Sequence, residues 1–331
     1  MRTSLVDKAS VERLLLLWSA LRAGLVDALQ RDRAHSAADV AAIAGTDVRA
    51  TAIVLEALAA EKVVERLESH GSVLYRLSEV GRAHLVDEGP ELERYQLLHL
   101  VNRVRGWLEL PEVIVSGRPL PKDPAKRDMR TMVSAMGERE PEIVEEVVER
   151  CLAYAGSIGT MVDIGGAVGH VARQFSRCGV RATLFDRENV LPVAREFLGS
   201  EADDIALVGG DFLTTLPEGP FDLAYLGNVN HIYSPEANRR LFERVASILE
   251  DGGTVAVQDY VWGRSPRAPM FAVSMLQATE EGGVWSEAQF REWLSAAGFV
   301  QIETVDLAAV PAQLILGRLP LRGPVSRSRV L

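Results

Sequence analysis

The chain is 331 residues long, 47% hydrophobic and 25% charged, with a formal net charge of −10, so it is long enough for two domains with sizeable cores and too acidic for nucleic acid or an anionic membrane to be the expected partner. Its two cysteines, Cys151 and Cys178, form no CxxC pair, which argues against a zinc site or a disulfide framework and for a reducing compartment. The opening MRTSLVDKAS lacks the apolar core of a signal peptide, and no apolar run reaches the roughly 20 residues that span a bilayer; a cytoplasmic protein is expected.

Residues 1–110 read as a first, mostly helical domain. Val11 to Leu29 carries leucines, a valine and a tryptophan at helical spacing. SAADVAAIAG and TDVRATAIVLEALAAEKVVER follow as two helices, with Ser36 and Thr46 as candidate N-caps and Gly45 as the stop between them. Val63–Leu67 and Val73–Leu77 alternate around Ser69-His70-Gly71, a hairpin signal. Helix–turn–helix plus hairpin is a winged-helix pattern. Its charge does not suit DNA: residues 1–110 hold 14 Lys and Arg against 16 Asp and Glu, and phosphate neutralisation needs clustered cations. The second helix of the pair offers only Arg49 and Lys62, beside Asp47, Glu56 and Glu61. An apolar packing or dimerisation role fits better.

Residues 111–155 read as connecting helices. RPLPKDP (118–124) is a proline-punctuated break, and Glu138 to Arg150 an acidic helix. Over 156–320 strands and helices alternate. The expected strands are Met161–Ile164, Ala182–Phe185, Ile205–Val208, Leu223–Val229 and Thr254–Gln258, with a late pair at Val300–Val305 and Ala312–Leu316. Helices are expected at His170–Cys178, Val190–Leu198, Pro235–Leu249 and Glu287–Ala297. That alternation is an α/β sheet with a mostly parallel core. A basic, polar tail over 321–331 is expected to be disordered.

The most informative stretch is MVDIGGAVG (161–169), a buried strand running into a glycine turn and a helix start. Asp186, in TLFDREN, lies about 20 residues past the glycines, the spacing at which a carboxylate can hold ribose hydroxyls. Glycine at 165, 166 and 169 lets backbone approach a ligand where a Cβ would clash. The G-x-G pair of dinucleotide folds is missing, and Asp163 would sit poorly beside a pyrophosphate. It suits a ligand with an ammonium group, such as the methionine part of S-adenosyl-L-methionine (SAM). The bland alternative is a strand–turn–helix with no ligand.

These pieces resemble the two-domain bacterial and plant small-molecule O-methyltransferases, with a winged-helix dimerisation domain and a Rossmann-like class I methyltransferase domain. The matching blocks are VDIGGAVG (162–169), LFDREN (184–189), GGDF (209–212), LGNVNHIYSPEANRRLF (226–242), LEDGGTVAVQDY (249–260) and MLQATEEGGVWSEAQFREWLSAAGF (275–299). The resemblance implies a homodimer joined through the N-terminal domain. It also implies SAM bound by Asp163, Gly165, Gly166 and Gly169 around its methionine part, by Asp186 at the ribose, and by Gly210, Asp211 and Phe212 at the adenine, with Asn228 nearby. Asp211 would accept from the exocyclic amine and Phe212 would offer a ring face; a turn-capping role is the alternative for Asp211. Ala167 stands where the family often has a third glycine, and fits if its φ stays negative.

The resemblance also implies that His231 is a general base that deprotonates a substrate hydroxyl, with Asp259 as one of two flanking acids. The second acid falls at Val284. The aspartate that often follows the histidine is Ile232, and a lysine of plant members is Gly227. Because the SAM methyl is already activated, alignment and exclusion of water carry much of the catalysis. Trp107, Met129, Met132, Met136, Phe271 and Met275 are candidate walls for a small hydroxylated, aromatic or polyketide-like substrate, or else plain core. No metal site is expected, since Asp222 and Asp259 make no carboxylate cluster by spacing. C- or N-methylation, a SAM-binding enzyme that catalyses a rearrangement, and a non-catalytic binding protein stay open as alternatives.

Overall fold

A computed structural model describes residues 7–30, 33–69, 71–86, 92–121, 129–137 and 141–321. The opening six residues, His70 of the expected hairpin turn, 122–124 of the proline break, 138–140 of the acidic helix and the tail from 322 lie outside the described residues. The chain divides into two compact units, Met1–Arg105 and Gly106–Leu331.

The first unit is a winged helix. It contains α1 (Lys8–Arg22), α2 (Leu25–Ala28), α3 (Ala37–Ala44), α4 (Val48–Ala60), β1 (Val64–Ser69), β2 (Ser72–Leu77), α5 (Glu79–Leu85) and the start of α6 (Arg94–Leu108). The helix expected over 11–29 is two: Gly24 takes φ +72° and turns the chain between α1 and α2. Ser36 caps α3 in a reciprocal box with Asp39, and Gly45 ends it at φ +68°. The cap of α4 is Asp47 rather than Thr46. Asp47 Oδ1 accepts from Ala50 N at 2.8 Å, whereas the Thr46 hydroxyl pairs with that of Thr51. β1 and β2 pair antiparallel from Val64↔Leu77 to Ser69↔Ser72. Leu21, Leu29, Leu55, Leu58 and Tyr75 fill the core between helices and hairpin.

The second unit begins with α7 (Leu110–Ser116), α8 (Met129–Gly137) and α9 (Pro141–Ala155). The alternating part follows: β3 (Thr160–Ile164), α10 (His170–Arg177), β4 (Arg181–Asp186), α11 (Leu191–Leu198), β5 (Ile205–Gly209), β6 (Phe221–Gly227), α12 (Pro235–Ser247) and β7 (Leu249–Asp259). It ends with α13 (Ala268–Ala278), α14 (Glu287–Ala296), β8 (Val300–Asp306) and β9 (Gln313–Arg318). The seven strands stand in the order β5-β4-β3-β6-β7-β9-β8. The first five are parallel, and β9 runs antiparallel to both neighbours. β6 stops at Gly227 rather than Val229, because Asn228 turns to φ +59°.

Helices cover both faces of the sheet, so β3, β6 and β7 are buried on both sides. Met161, Phe175 and Leu223 belong to the core of one face; Val162, Ile164, Leu226 and Phe242 belong to the other. From β3 the chain moves outward to β4 and β5, then returns across to β6 and β7. That reversal opens a crevice past the carboxyl ends of β3 and β6, where open α/β sheets bind ligands. The opposite end is closed. Asp222 accepts from Gly159 N (2.8 Å) and Thr160 N (2.9 Å), tying the start of β6 to the start of β3.

Candidate active site

The turn after β3 forms one wall of the crevice. Gly165 takes φ +72° and donates its N–H to Phe185 O at 2.8 Å. A Cβ at Gly166 would lie 2.3 Å from Leu184 Cδ1 and 2.5 Å from Asp163 Cγ, so a side chain there would have to displace them. Ala167 does not keep a negative φ; it sits at +53°. The left-handed backbone costs an alanine about 1 kcal/mol, and its N–H is held by Asp186 Oδ2 at 2.9 Å. The same bond joins the turn to the acid that ends β4.

Asp186 also accepts from Arg187 N at 2.7 Å. Burial pushes its carboxyl above the usual range, against the pull of these two N–H bonds and of the Arg187 charge. Asp163 is buried within β3, and its Oδ2 accepts from Ala172 N at 3.3 Å in the first turn of α10, so it also caps that helix. Gly210 N donates to Asp186 O at 3.0 Å, which brings the 209–212 turn alongside. Asp211 Oδ1 accepts from Leu213 N at 2.9 Å and caps this turn. Phe212 is buried, edge-on to Tyr233 with centroids 5.6 Å apart, and a Cβ at Gly165 would lie 3.6 Å from its ring. Asn228 donates its N–H to Gln258 O at 2.8 Å.

Past β6, His231 lies in the short 3-10 turn Asn230–Ile232. Its Nδ1 is 2.9 Å from Asp259 Oδ1, and its backbone N–H donates to Asp259 Oδ2 at 3.2 Å. Asp259, the last residue of β7, is 1% exposed and also accepts from Tyr260 N. Phe271 stands edge-on to the imidazole at 4.7 Å. The histidine segment touches the glycine turn through Val229, whose Cγ2 would lie 2.8 Å from a Cβ at Gly165.

A narrow cleft runs along the glycine turn, lined by Met136, Asp163, Gly166, His170, Tyr225 and Gly227 among others. Met129 and Met132 pack against Val168 and Val190 beside it. The methionines of α8 therefore flank the glycine turn, whereas Phe271 of α13 flanks His231. Trp107 is half-buried near the end of α6. Its neighbour Gly106 abuts Gln277, two residues past half-buried Met275 in α13. Asn230, Asn238, Trp285 and Tyr225 escape sequence reasoning, because no spacing marks a buried polar residue whose partners lie on other elements. Among the described residues no group of three or more His, Cys, Asp or Glu could hold a metal ion.

A seven-stranded sheet in this order, with a glycine turn and an acid at its switch point, defines the Rossmann-like class of methyltransferases. A family model for the O-methyltransferase domain matches residues 122–300, and one for the O-methyltransferase dimerisation domain matches residues 14–87. The chain belongs to this O-methyltransferase family and is a SAM-dependent methyltransferase carrying a dimerisation domain. It is 27% identical over 300 residues to the tetracenomycin polyketide synthesis 8-O-methyl transferase TcmO of Streptomyces glaucescens, covering 84% of this chain and 85% of that one. The human N-acetylserotonin methyltransferase, solved in complex with SAM, superposes with a TM-score of 0.70 at 23% identity, covering 96% of this chain and 99% of that one. The N,N-8-amino-8-demethyl-D-riboflavin dimethyltransferase RosA of Streptomyces davawensis superposes at 0.76 with 22% identity, covering 94% and 96%.

The residues present suit the cofactor. Gly166 leaves bare backbone along the cleft, the Asp163 carboxylate lines it and would face an ammonium group, and Asp186 ends the neighbouring strand with a carboxyl whose pKa burial raises. Among the described residues no helix is long and apolar enough to cross a membrane.

Proposed function

We propose that the enzyme O-methylates a small hydroxylated metabolite of aromatic or polyketide-like character, with His231 as general base, and acts as a homodimer joined through its N-terminal unit. The observation that carries the base assignment is the buried His231–Asp259 pair, at 2.9 Å and at the carboxyl end of the sheet. A carboxylate accepts but cannot donate, so Asp259 holds the proton on Nδ1 and leaves the Nε2 lone pair as the base. Bound SAM supplies a methyl group already activated by its sulfonium. His231 takes the proton from the acceptor hydroxyl, and Phe271 keeps water from the imidazole edge. Asp186 would hold the ribose hydroxyls, Asp163 would face the methionine ammonium, and Asp211 with Phe212 would border the adenine. The 27% identity to a polyketide O-methyltransferase supports the substrate class.

One observation favours a second reading, transfer to nitrogen. Gly283 N donates to His231 O, and the next residue, Val284, is apolar and supplies no second acid. A neutral amine attacks the methyl carbon through its lone pair and sheds its proton only afterwards, from the ammonium that forms, so it needs no base beforehand. Mass spectrometry of the purified enzyme with SAM and a panel of phenols, enols and aromatic amines separates the two. Methylated phenols support the first reading and methylated amines alone support the second. His231→Ala should lower turnover of a phenol by roughly 10²-fold; near-normal turnover removes the base assignment. Sedimentation at micromolar concentration tests the dimer, and a monomer there refutes it.

A further inference from the structure

The turn that carries His231 is gripped by groups the sequence does not advertise. Asn238, wholly buried near the start of α12, donates through Nδ2 to Asn230 O (2.8 Å) and Tyr233 O (3.2 Å). Its Oδ1 accepts from Asn230 Nδ2 at 2.8 Å. One side-chain amide thus holds the carbonyls on both sides of His231 and Ile232. Trp285 Nε1 donates to Asn230 O at 2.9 Å, and Gly283 N donates to His231 O at 2.9 Å. Gly282 makes room for this approach, since a Cβ there would lie 2.4 Å from His231 O.

Asparagine is a poor helix former, and the side-chain bonds of Asn238 run to the 230–233 turn rather than within its own helix. What Asn238 stabilises is therefore the conformation of that turn. The histidine sits in a short turn, outside the strands and long helices that usually fix a reactive group, and Val284 offers no second carboxylate to orient the ring. We infer that Asn238 is a positioning residue: with Trp285 it fixes the backbone of the 230–233 turn so that the His231 ring meets Asp259 and presents Nε2 to the acceptor. This rests on the base role proposed above. A misplacement of about 1 Å is enough to cost a large part of the rate.

The test uses the full chain with ¹⁵N-labelled histidine and saturating S-adenosylhomocysteine (SAH). The His231 ring signals are identified by their loss in His231→Ala. In the parent the spectrum should show the Nδ1–H tautomer. In Asn238→Ala it should show mixed tautomers, with SAH affinity by calorimetry unchanged. Turnover of a phenol should fall about tenfold without a change in KM for SAM, and should fall no further when Asn238→Ala is added to His231→Ala. Trp285→Phe removes the indole N–H together with one ring and leaves a phenyl to pack against Trp293. It should move the spectrum the same way by less, and it keeps the test alive if Asn238→Ala does not fold. An unchanged His231 spectrum in both variants overturns the inference, as does a loss of turnover that persists undiminished on top of His231→Ala. Normal turnover by His231→Ala instead defeats the base reading, and the tautomer spectra then decide the positioning role by themselves.

Discussion

Asp186→Asn should act in opposite directions on stability and on cofactor binding. Burial raises the Asp186 carboxyl above its ordinary value of 3.8, outweighing the bonds from Arg187 N and Ala167 N. The folded chain therefore binds this proton more tightly than the unfolded chain does. An acid of that kind favours folding at pH values below the unfolded pKa, and that contribution is lost as pH rises through the raised one. At pH 7 the ionised carboxylate is a cost. Asparagine is nearly isosteric, keeps one oxygen for an N–H donor and carries no charge. The ligand-free variant should melt above the parent at pH 7, and the gap should close as pH falls through the raised value toward 3.8. Binding should go the other way. Charge-assisted bonds to two ribose hydroxyls are replaced by at most one neutral bond, a loss of about 3 kcal/mol, or roughly 100-fold in SAH affinity. Scanning calorimetry across pH and titration with SAH read the two effects separately. A variant that binds SAH within about threefold of the parent refutes the ribose assignment. A lower melting point at pH 7 with no pH dependence refutes the burial argument.

Three further outcomes are expected. Asp259→Asn keeps volume but turns an amide N–H toward the His231 backbone N–H, so turnover should fall by roughly 10²-fold or more with SAH affinity intact; steady-state kinetics beside calorimetry checks this. Gly166→Ala forces a methyl into Leu184 and the Asp163 carboxylate, and should cost about 1–3 kcal/mol of stability and weaken SAH binding, read by denaturant melts and titration. Ala167→Gly should leave SAH binding unchanged. It should be neutral to stabilising by about 1 kcal/mol, as relief of the φ +53° backbone offsets the extra freedom of glycine in the unfolded chain; a clear loss of stability counts against that balance.

The glycine turn and Asp186 were legible because cofactor chemistry fixes their spacing along one βαβ unit, and backbone approach restricts residue choice there. The parallel strands were legible from short apolar runs between helical segments. His231 and Asp259 came from the resemblance, since 28 positions of chain separate two residues that only the sheet brings together. The break at Gly24 was hidden because apolar spacing continues across it into Leu29. α13 went unread because APMFAVSMLQA has too few polar residues to show a face. The positive φ of Ala167 and the grip of Asn238 and Trp285 on the 230–233 turn depend on tertiary hydrogen bonds, which leave no periodic trace.

β9 lies inside the sheet, between β7 and β8, although it follows both in sequence. It lines Gln313 up with Asp259, and the Gln313 side chain accepts the N–H of Val261 just beyond. Until β9 pairs, β7 is an outer strand, and the N–H of Val261, two residues past Asp259, lacks its acceptor. The late strand thus steadies the backbone just beyond the His231–Asp259 pair, and a variant in which β9 cannot pair should loosen Val261 first, read by faster amide exchange there.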